Sequence, residues 1–290
     1  MKQDNTIGPV ELESQAVPNA PHTPRRSTWS VGAALGAIGY GYVVVMIGFL
    51  YLPILVMALM SANASPLYEL PFHFTTHWYQ ALAEDGGLKA AALRSIEIAL
   101  WTTLLSTILG VMASLAFFRY DFAGKRFLQA MLFPPMAIPW LITGTAMLIF
   151  FFAIGIGRGL HAILLGHVAL ALPYVIIVVG ARLRTFSPEL ELAARSLGAS
   201  GWQITWRVTL PAITPGVVAG ALFAFAVSFD QFVVSYFLSD PGETTLPVEI
   251  YSAIRKGFTP EINAISTIII VVSMGTMLIV SRLYRFGGEQ

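Results

Sequence analysis

The chain has 290 residues, 56% of them hydrophobic and 11% charged, with a formal net charge of +1 and a mean hydropathy of +0.71. That balance lies outside the composition of soluble globular domains and marks a membrane chain, and it offers no clustered Lys and Arg for nucleic-acid phosphates. With no cysteine, a disulfide framework, a thiolate zinc site and a cysteine nucleophile are excluded.

Residues 1–28 begin with "MKQDNTIGPVELESQAVPNAPHTPRR", which carries four prolines, scattered charges and no apolar run, so they read as a disordered tail. A membrane span needs roughly 20 mostly apolar residues to cross about 30 Å of hydrocarbon. Six segments meet that need, at about 31–60, 95–118, 128–155, 160–180, 213–238 and 262–280. The first is too long for the apolar part of a cleavable signal, so it reads as an uncleaved span. Together the six form one all-α membrane domain over 29–285, because in lipid each backbone polar group must be satisfied within its own segment.

Six spans leave both termini on one side. That side holds Lys2, Arg25, Arg26, Arg119, Lys125, Arg126, Arg182, Arg184, Arg195, Arg207, Arg282 and Arg285. The other holds Lys89, Arg94, Arg158, Arg255 and Lys256, and twelve against five places the termini in the cytoplasm.

Several features stand out along the spans. "GAALG" (Gly32 to Gly36) and "GVVAG" (Gly216 to Gly220) are spaced for close helix approach, or are chance in a Gly-rich chain. His73 and His77 stand four apart and could share a helix face, but two ligands make a poor metal site, and no metal is expected. Pro134, Pro135 and Pro139 open the third span, which predicts either a break facing protein or a cavity, or a simple packing kink.

Between the fourth and fifth spans lies "ELELAARSLGASGWQITWRVTLP", charged and helix-prone within loop 187–211. Ser187 reads as an N-cap, Pro188 suits the first helical position, and Glu189 and Glu191 complement the helix dipole. Gly198 supplies a left-handed stop, Ser200 caps a second short helix, and Pro211 is expected to end it. Neither piece can span. Leu190, Leu197 and Trp202 would give a compact knob with an apolar cytoplasmic side, as either a docking surface or a self-packed loop.

In the fifth span, Asp230 is an intramembrane acid and therefore a functional-site candidate. On a continuous helix it shares a face with Phe223 and Phe237, seven residues either way. A carboxylate between aromatic rings suits an organic ammonium; pairing with a basic residue elsewhere in an assembly is the alternative. Ser228, Gln231 and Ser235 make a separate polar stripe, expected to face the pathway or a partner subunit. His167 has no acid or nucleophile beside it in sequence, and no G-x-x-x-x-G-K-[ST], G-x-S-x-G or H-E-x-x-H pattern is present. No catalytic residue is expected, and ATP is not bound by such a phosphate loop here.

The loop resembles the cytoplasmic coupling loop of type I ABC-importer permeases, whose pattern is Glu-Ala-Ala, three residues, Gly, and later Leu-Pro. Ala193, Ala194, Gly198, Val208, Leu210 and Pro211 match, while Leu192 stands at the glutamate position with Glu191 one place earlier. The similarity runs from Trp78 to Ser281 and is nearest to the second permease of spermidine/putrescine-type importers. It is carried by "HWYQAL" (77–82), "FAGKRFL" (122–128), "GHVALALPYV" (166–175), "SFDQFVVSYFLSDPGETTLPVEIY" (228–251) and "TPEINAISTI" (259–268).

The resemblance implies a hairpin, with Glu191, Ala193, Ala194, Gly198, Ala199, Trp202, Leu210 and Pro211, that docks on a cytoplasmic ATPase and transmits its closure. It implies two ATPase subunits that bind ATP-Mg, a second permease, and an extracytoplasmic binding protein meeting the outer segment Ser239 to Glu261. Polyamine permeases commonly carry a second acid where Gln231 stands, so singly charged amines, aminophosphonates, opine-like compounds and metal chelates stay open as substrates. A self-sufficient carrier with Asp230 as its ion site is the reading from another class; a membrane enzyme is a distant third.

Overall fold

The computed structural model describes the backbone of residues 29–65, 69–256 and 261–287, and side chains over 35–65, 69–256 and 261–275. The tail read as disordered lies outside the described residues, and of Gly32 to Gly36 the backbone is helical. By internal packing the chain divides into two units, residues 1–55 and 56–290.

The first unit contains most of α1 (Trp29–Met60), an apolar helix without a charged residue. The second begins with the end of α1 and continues through α2 (His77–Glu84), α3 (Gly86–Arg119), α4 (Lys125–Ala130), α5 (Pro134–Ala137), α6 (Trp140–Ala153) and α7 (Leu160–Arg184). It then runs through α8 (Pro188–Ser196), α9 (Gly201–Ile204), a π-helical turn (Thr205–Thr209), α10 (Leu210–Phe229), α11 (Val233–Leu238), α12 (Leu246–Lys256) and α13 (Glu261–Gly287). Among the described residues there is no β-strand, only an isolated bridge between Asn63 and Phe74.

Among the described residues, four helical stretches are long and apolar enough to cross a membrane: Leu35–Met60, Gly86–Arg119, Leu160–Arg184 and Gly201–Phe229. The third expected span, 128–155, is not one helix: Lys125–Ala137 and Trp140–Ala153 meet at 111°. Pro139 is the cause, since it lacks an N–H and forces Ile138 before it into the extended region, with ψ 132°. The sixth expected span, 262–280, falls within α13, a helix of 27 residues whose apolar part with described side chains, Glu261–Gly275, is shorter than a span.

α3, α7 and α10 form the central layer. Ala171, Val175, Val179 and Leu183 of α7 bury against Ile213 and Ala224 of α10, with Val111 and Leu115 of α3 packed alongside. Gly216 makes the approach of α10 to α7 possible, because a Cβ there would lie 2.6 Å from the Arg182 Cβ. A second cluster joins Phe151 of α6, Ala162, Ile163 and Leu170 of α7, and Val234 and Leu238 of α11. The end opposite α8 is closed by Leu82, Leu88, Leu246, Ala264 and Ile265. There Arg94 donates to the Thr244 carbonyl at 2.9 Å, and Arg158 donates to the Ser239 carbonyl, tying the α11–α12 loop down. His73 lies in the loop before α2 and so does not share a helix face with His77, which begins that helix.

Candidate functional site

The hairpin is built by local signals. α8 starts at Pro188 behind Ser187, whose extended backbone (φ −74°, ψ 118°) is that of an N-cap although its side chain makes no capping bond. Glu189 and Glu191 occupy its first turn and Arg195 its last, both favourable to the helix dipole. It ends in a Schellman arrangement: Gly198 has φ 84°, its N–H reaches the Arg195 carbonyl at 3.0 Å, and the Ala199 N–H reaches that of Ala194 at 3.1 Å. Ser200 then forms a capping box, accepting from the Gln203 N–H at 3.3 Å while its own N–H donates to Gln203 Oε1 at 2.8 Å.

Pro211 does not end the second helix. From α9 the chain passes through the π-helical turn into α10 without leaving helical geometry, and Pro211 sits in the first turn of α10. The π turn supplies the reason: the Leu210 N–H bonds the Thr205 carbonyl five residues back, so the ladder is already shifted where proline offers no donor. The second arm of the hairpin is thus a continuous extension of a membrane helix, and α8 joins it through the turn at Gly198.

Its surface is apolar where water would be expected. Leu190, Leu192, Trp206 and above all Leu197 (89%) and Trp202 (72%) are exposed, and the Trp202 and Trp206 rings lie 5.2 Å apart. Ala193 and Pro211 are exposed too, Ala194 and Ala199 half-buried, and Leu210 packs on the α7–α10 core. Leu192, at the motif's glutamate position, points an apolar side chain outward at 59% exposure.

Glu191 faces inward instead. Its Oε1 accepts from Arg119 Nη2 at 2.6 Å and from Thr209 Oγ1 at 2.5 Å. Arg119, the last residue of α3, also donates to Thr205 Oγ1 at 2.5 Å and Thr209 Oγ1 at 2.7 Å. Partial burial raises the Glu191 carboxyl, but hydrogen bonds from Thr209 and Arg119, with the Arg119 and Arg195 charges, outweigh it and hold it below its ordinary value. The tie therefore contributes stability above the ordinary carboxylate range, and that contribution is lost as pH falls through the lowered value. Sequence reasoning missed Arg119; the available signal was a lone arginine closing a long apolar run.

At the far end of α10 the expected continuous helix breaks. α10 stops at Phe229, Asp230 is its C-cap (φ −88°, ψ 1°), and α11 begins at Val233. Asp230 is exposed at this corner. The face shared by Phe223, Asp230 and Phe237 does not exist, because the 100° step fails across the break: Phe223 is exposed on α10, and Phe237 packs toward Gly144 of α6 from α11. Ser228 and Ser235 turn into the chain's own core. Both are buried on His167 of α7, Nδ1 to Ser228 Oγ at 2.8 Å and Nε2 to Ser235 Oγ at 3.0 Å. Ser235 donates its single hydroxyl hydrogen to the Gln231 carbonyl at 2.7 Å, so the network assigns the proton to Nε2 and lets Nδ1 accept from Ser228. Gln231 is buried beside them.

Residues 106–286 match the family model for the binding-protein-dependent transport system inner membrane component. The chain is 35% identical over 243 residues to the spermidine/putrescine transport system permease protein PotC of Escherichia coli (strain K12), covering 84% of this chain and 92% of that protein. It is 36% identical over 237 residues to the putrescine transport system permease protein PotI of the same organism, covering 79% and 84%. Its fold is similar to that of a chain of a bacterial alginate ABC transporter in complex with alginate pentasaccharide-bound periplasmic protein, with a TM-score of 0.70 at 17% identity, covering 90% and 97%.

Proposed function

We propose, from the premise that this chain belongs to the family of binding-protein-dependent transport system inner membrane components, that it is the permease subunit of an ATP-driven importer of polyamines or a related small organic amine. The observation that carries the reading is the exposed apolar hairpin fused through a continuous helix to α10. Such a surface, at the end of a span, is a docking face for a partner whose movement the helix then carries into the membrane. A self-sufficient carrier has no use for it.

In this reading two ATPase subunits bind ATP-Mg and seat the hairpin through Leu197, Trp202 and their neighbours Ala193, Ala194, Gly198 and Ala199. A second, different permease completes the pathway, and an extracytoplasmic binding protein delivers substrate to the segment Ser239 to Glu261. The chain lies in the bacterial inner membrane with both termini in the cytoplasm.

Asp230 is the proposed amine contact. Its carboxylate sits at the C-cap of α10, where the helix dipole is also negative, so charge and dipole act together on an ammonium group. The aromatic flank read from the sequence plays no part in this.

The test is to express the tagged full chain in its native host, extract it in mild detergent and determine what co-purifies. An ATPase in stoichiometric amount supports the reading. A β-branched residue at 198 strains the left-handed cap, so Gly198→Val should uncouple ATP hydrolysis from uptake while the chain still accumulates. A chain that purifies alone and moves solute in liposomes without ATP would be a carrier.

A further inference from the structure

We propose that Arg119 is a positioning residue of the coupling machinery: it clasps the hairpin to α3 and locks the π-helical joint through which hairpin and α10 move together. The proposal rests on the hairpin being the coupler and names the residue that makes it a rigid lever.

A coupler must not swivel on its own stalk. None of the nine residues of α8 is buried, so apolar packing does not fix this helix against the membrane core. Polar contacts take over that role. Arg119 ends α3, Glu191 lies in the first turn of α8, and Thr205 and Thr209 are the first and last residues of the π turn. One guanidinium reaches all three elements: Nη1 to Thr205, and Nη2 to both Glu191 and Thr209. Thr209 closes the ring by donating to the same Glu191 oxygen.

The surroundings strengthen these bonds. The Arg119 and Glu191 side chains are only 21% and 17% exposed, and Thr209 is fully buried, so the ion pair is screened less than a surface pair. The π turn is the weak point of the continuous helix, since its ladder is shifted and Pro211 follows two residues later. A guanidinium that bonds the residue at each end of that turn holds its length and direction. A push on the hairpin then reaches α3 through Glu191 and Arg119, and α10 through the stiffened joint. Lysine could not do the same, having one nitrogen on a flexible stem where the planar fork presents two.

The experiment uses the assembled transporter, with its ATPase, second permease and binding protein, in proteoliposomes loaded with ATP and offered labelled putrescine and spermidine. Arg119→Gln should keep the ATPase bound and hydrolysing while uptake per ATP falls by about tenfold, the effect on an equilibrium of losing a charge-assisted tie. Arg119→Lys should fall between, and Thr205→Val should move the same way by less. Because the chain has no cysteine, spin labels at Tyr120→Cys and Ser196→Cys report the hairpin's seat directly. Their distance distribution should broaden in Arg119→Gln.

Unchanged uptake per ATP, or an unbroadened distribution, would overturn the clasp. If Arg119→Gln fails to accumulate, Thr205→Val decides on the same two readouts. Leu197→Asp separates the two levels: if it leaves the ATPase bound and uptake intact, the hairpin is not the coupler and the clasp falls with it. If Leu197→Asp is inactive while Arg119→Gln is normal, the clasp alone is wrong.

Discussion

Asp230 and Glu191 are both acids on a membrane protein, and their surroundings give them opposite roles. Glu191 accepts two hydrogen bonds beside a guanidinium, so its charge is used up inside the protein. Asp230 stands exposed at a helix corner, so its charge is available to something outside the chain. Asp230→Asn removes that charge and keeps the size, and an unpaired ammonium contact of this kind is worth about 1.5–3 kcal/mol, roughly tenfold to a hundredfold in affinity. Amine uptake at limiting substrate should fall by that factor while the ATPase still co-purifies. Normal uptake would make Asp230 an assembly contact. Leu192 belongs to the same scale: it sets an exposed apolar side chain at the motif's glutamate position.

Breaks rather than helices decide what the elements do. Pro139 splits the third span, the π turn absorbs Pro211, and α10 stops at Phe229 although the apolar run continues. The last break is bridged by His167, which holds Ser228 on one side of the corner and Ser235 on the other. His167→Ala would strand the Ser228 hydroxyl, take from Ser235 the bond it accepts, and open a cavity at a position 1% exposed, a loss of about 2–5 kcal/mol. Thermal unfolding in detergent should show a markedly lower Tm for that variant. His167→Gln, which keeps a donor and an acceptor, should recover part of it. An unshifted Tm for both would mean that apolar packing of Val234 and Leu238 alone holds the corner.

For the whole molecule, orientation is a matter of charge. The hairpin end gathers Arg119, Lys125, Arg126, Arg182, Arg184, Arg195 and Arg207, and in the proposed reading this basic end faces the cytoplasm, as the positive-inside rule expects. A protease-sensitive tag on the C-terminus should therefore be protected in intact spheroplasts and cut in inverted vesicles; the reverse pattern would put the hairpin outside and end the importer reading.

Composition, the apolar runs and the capping residues of the hairpin were legible in the linear sequence because each acts locally. Twenty apolar residues define a span wherever they fall, and Gly198 and Ser200 make their bonds within a few residues of themselves. Asp230 could be singled out in the same way, as an acid in an apolar run. The fate of the residues around it could not. A helix wheel assumes the helix continues, and whether it does at Asp230 depends on His167, more than sixty residues away in sequence, accepting and donating across the corner. Arg119 was equally hidden, since its partners lie 72 to 90 residues on. Short-range steric and hydrogen-bond preferences are written in neighbouring residues, whereas the pairing of buried polar groups is settled only when packing brings distant helices within 3 Å.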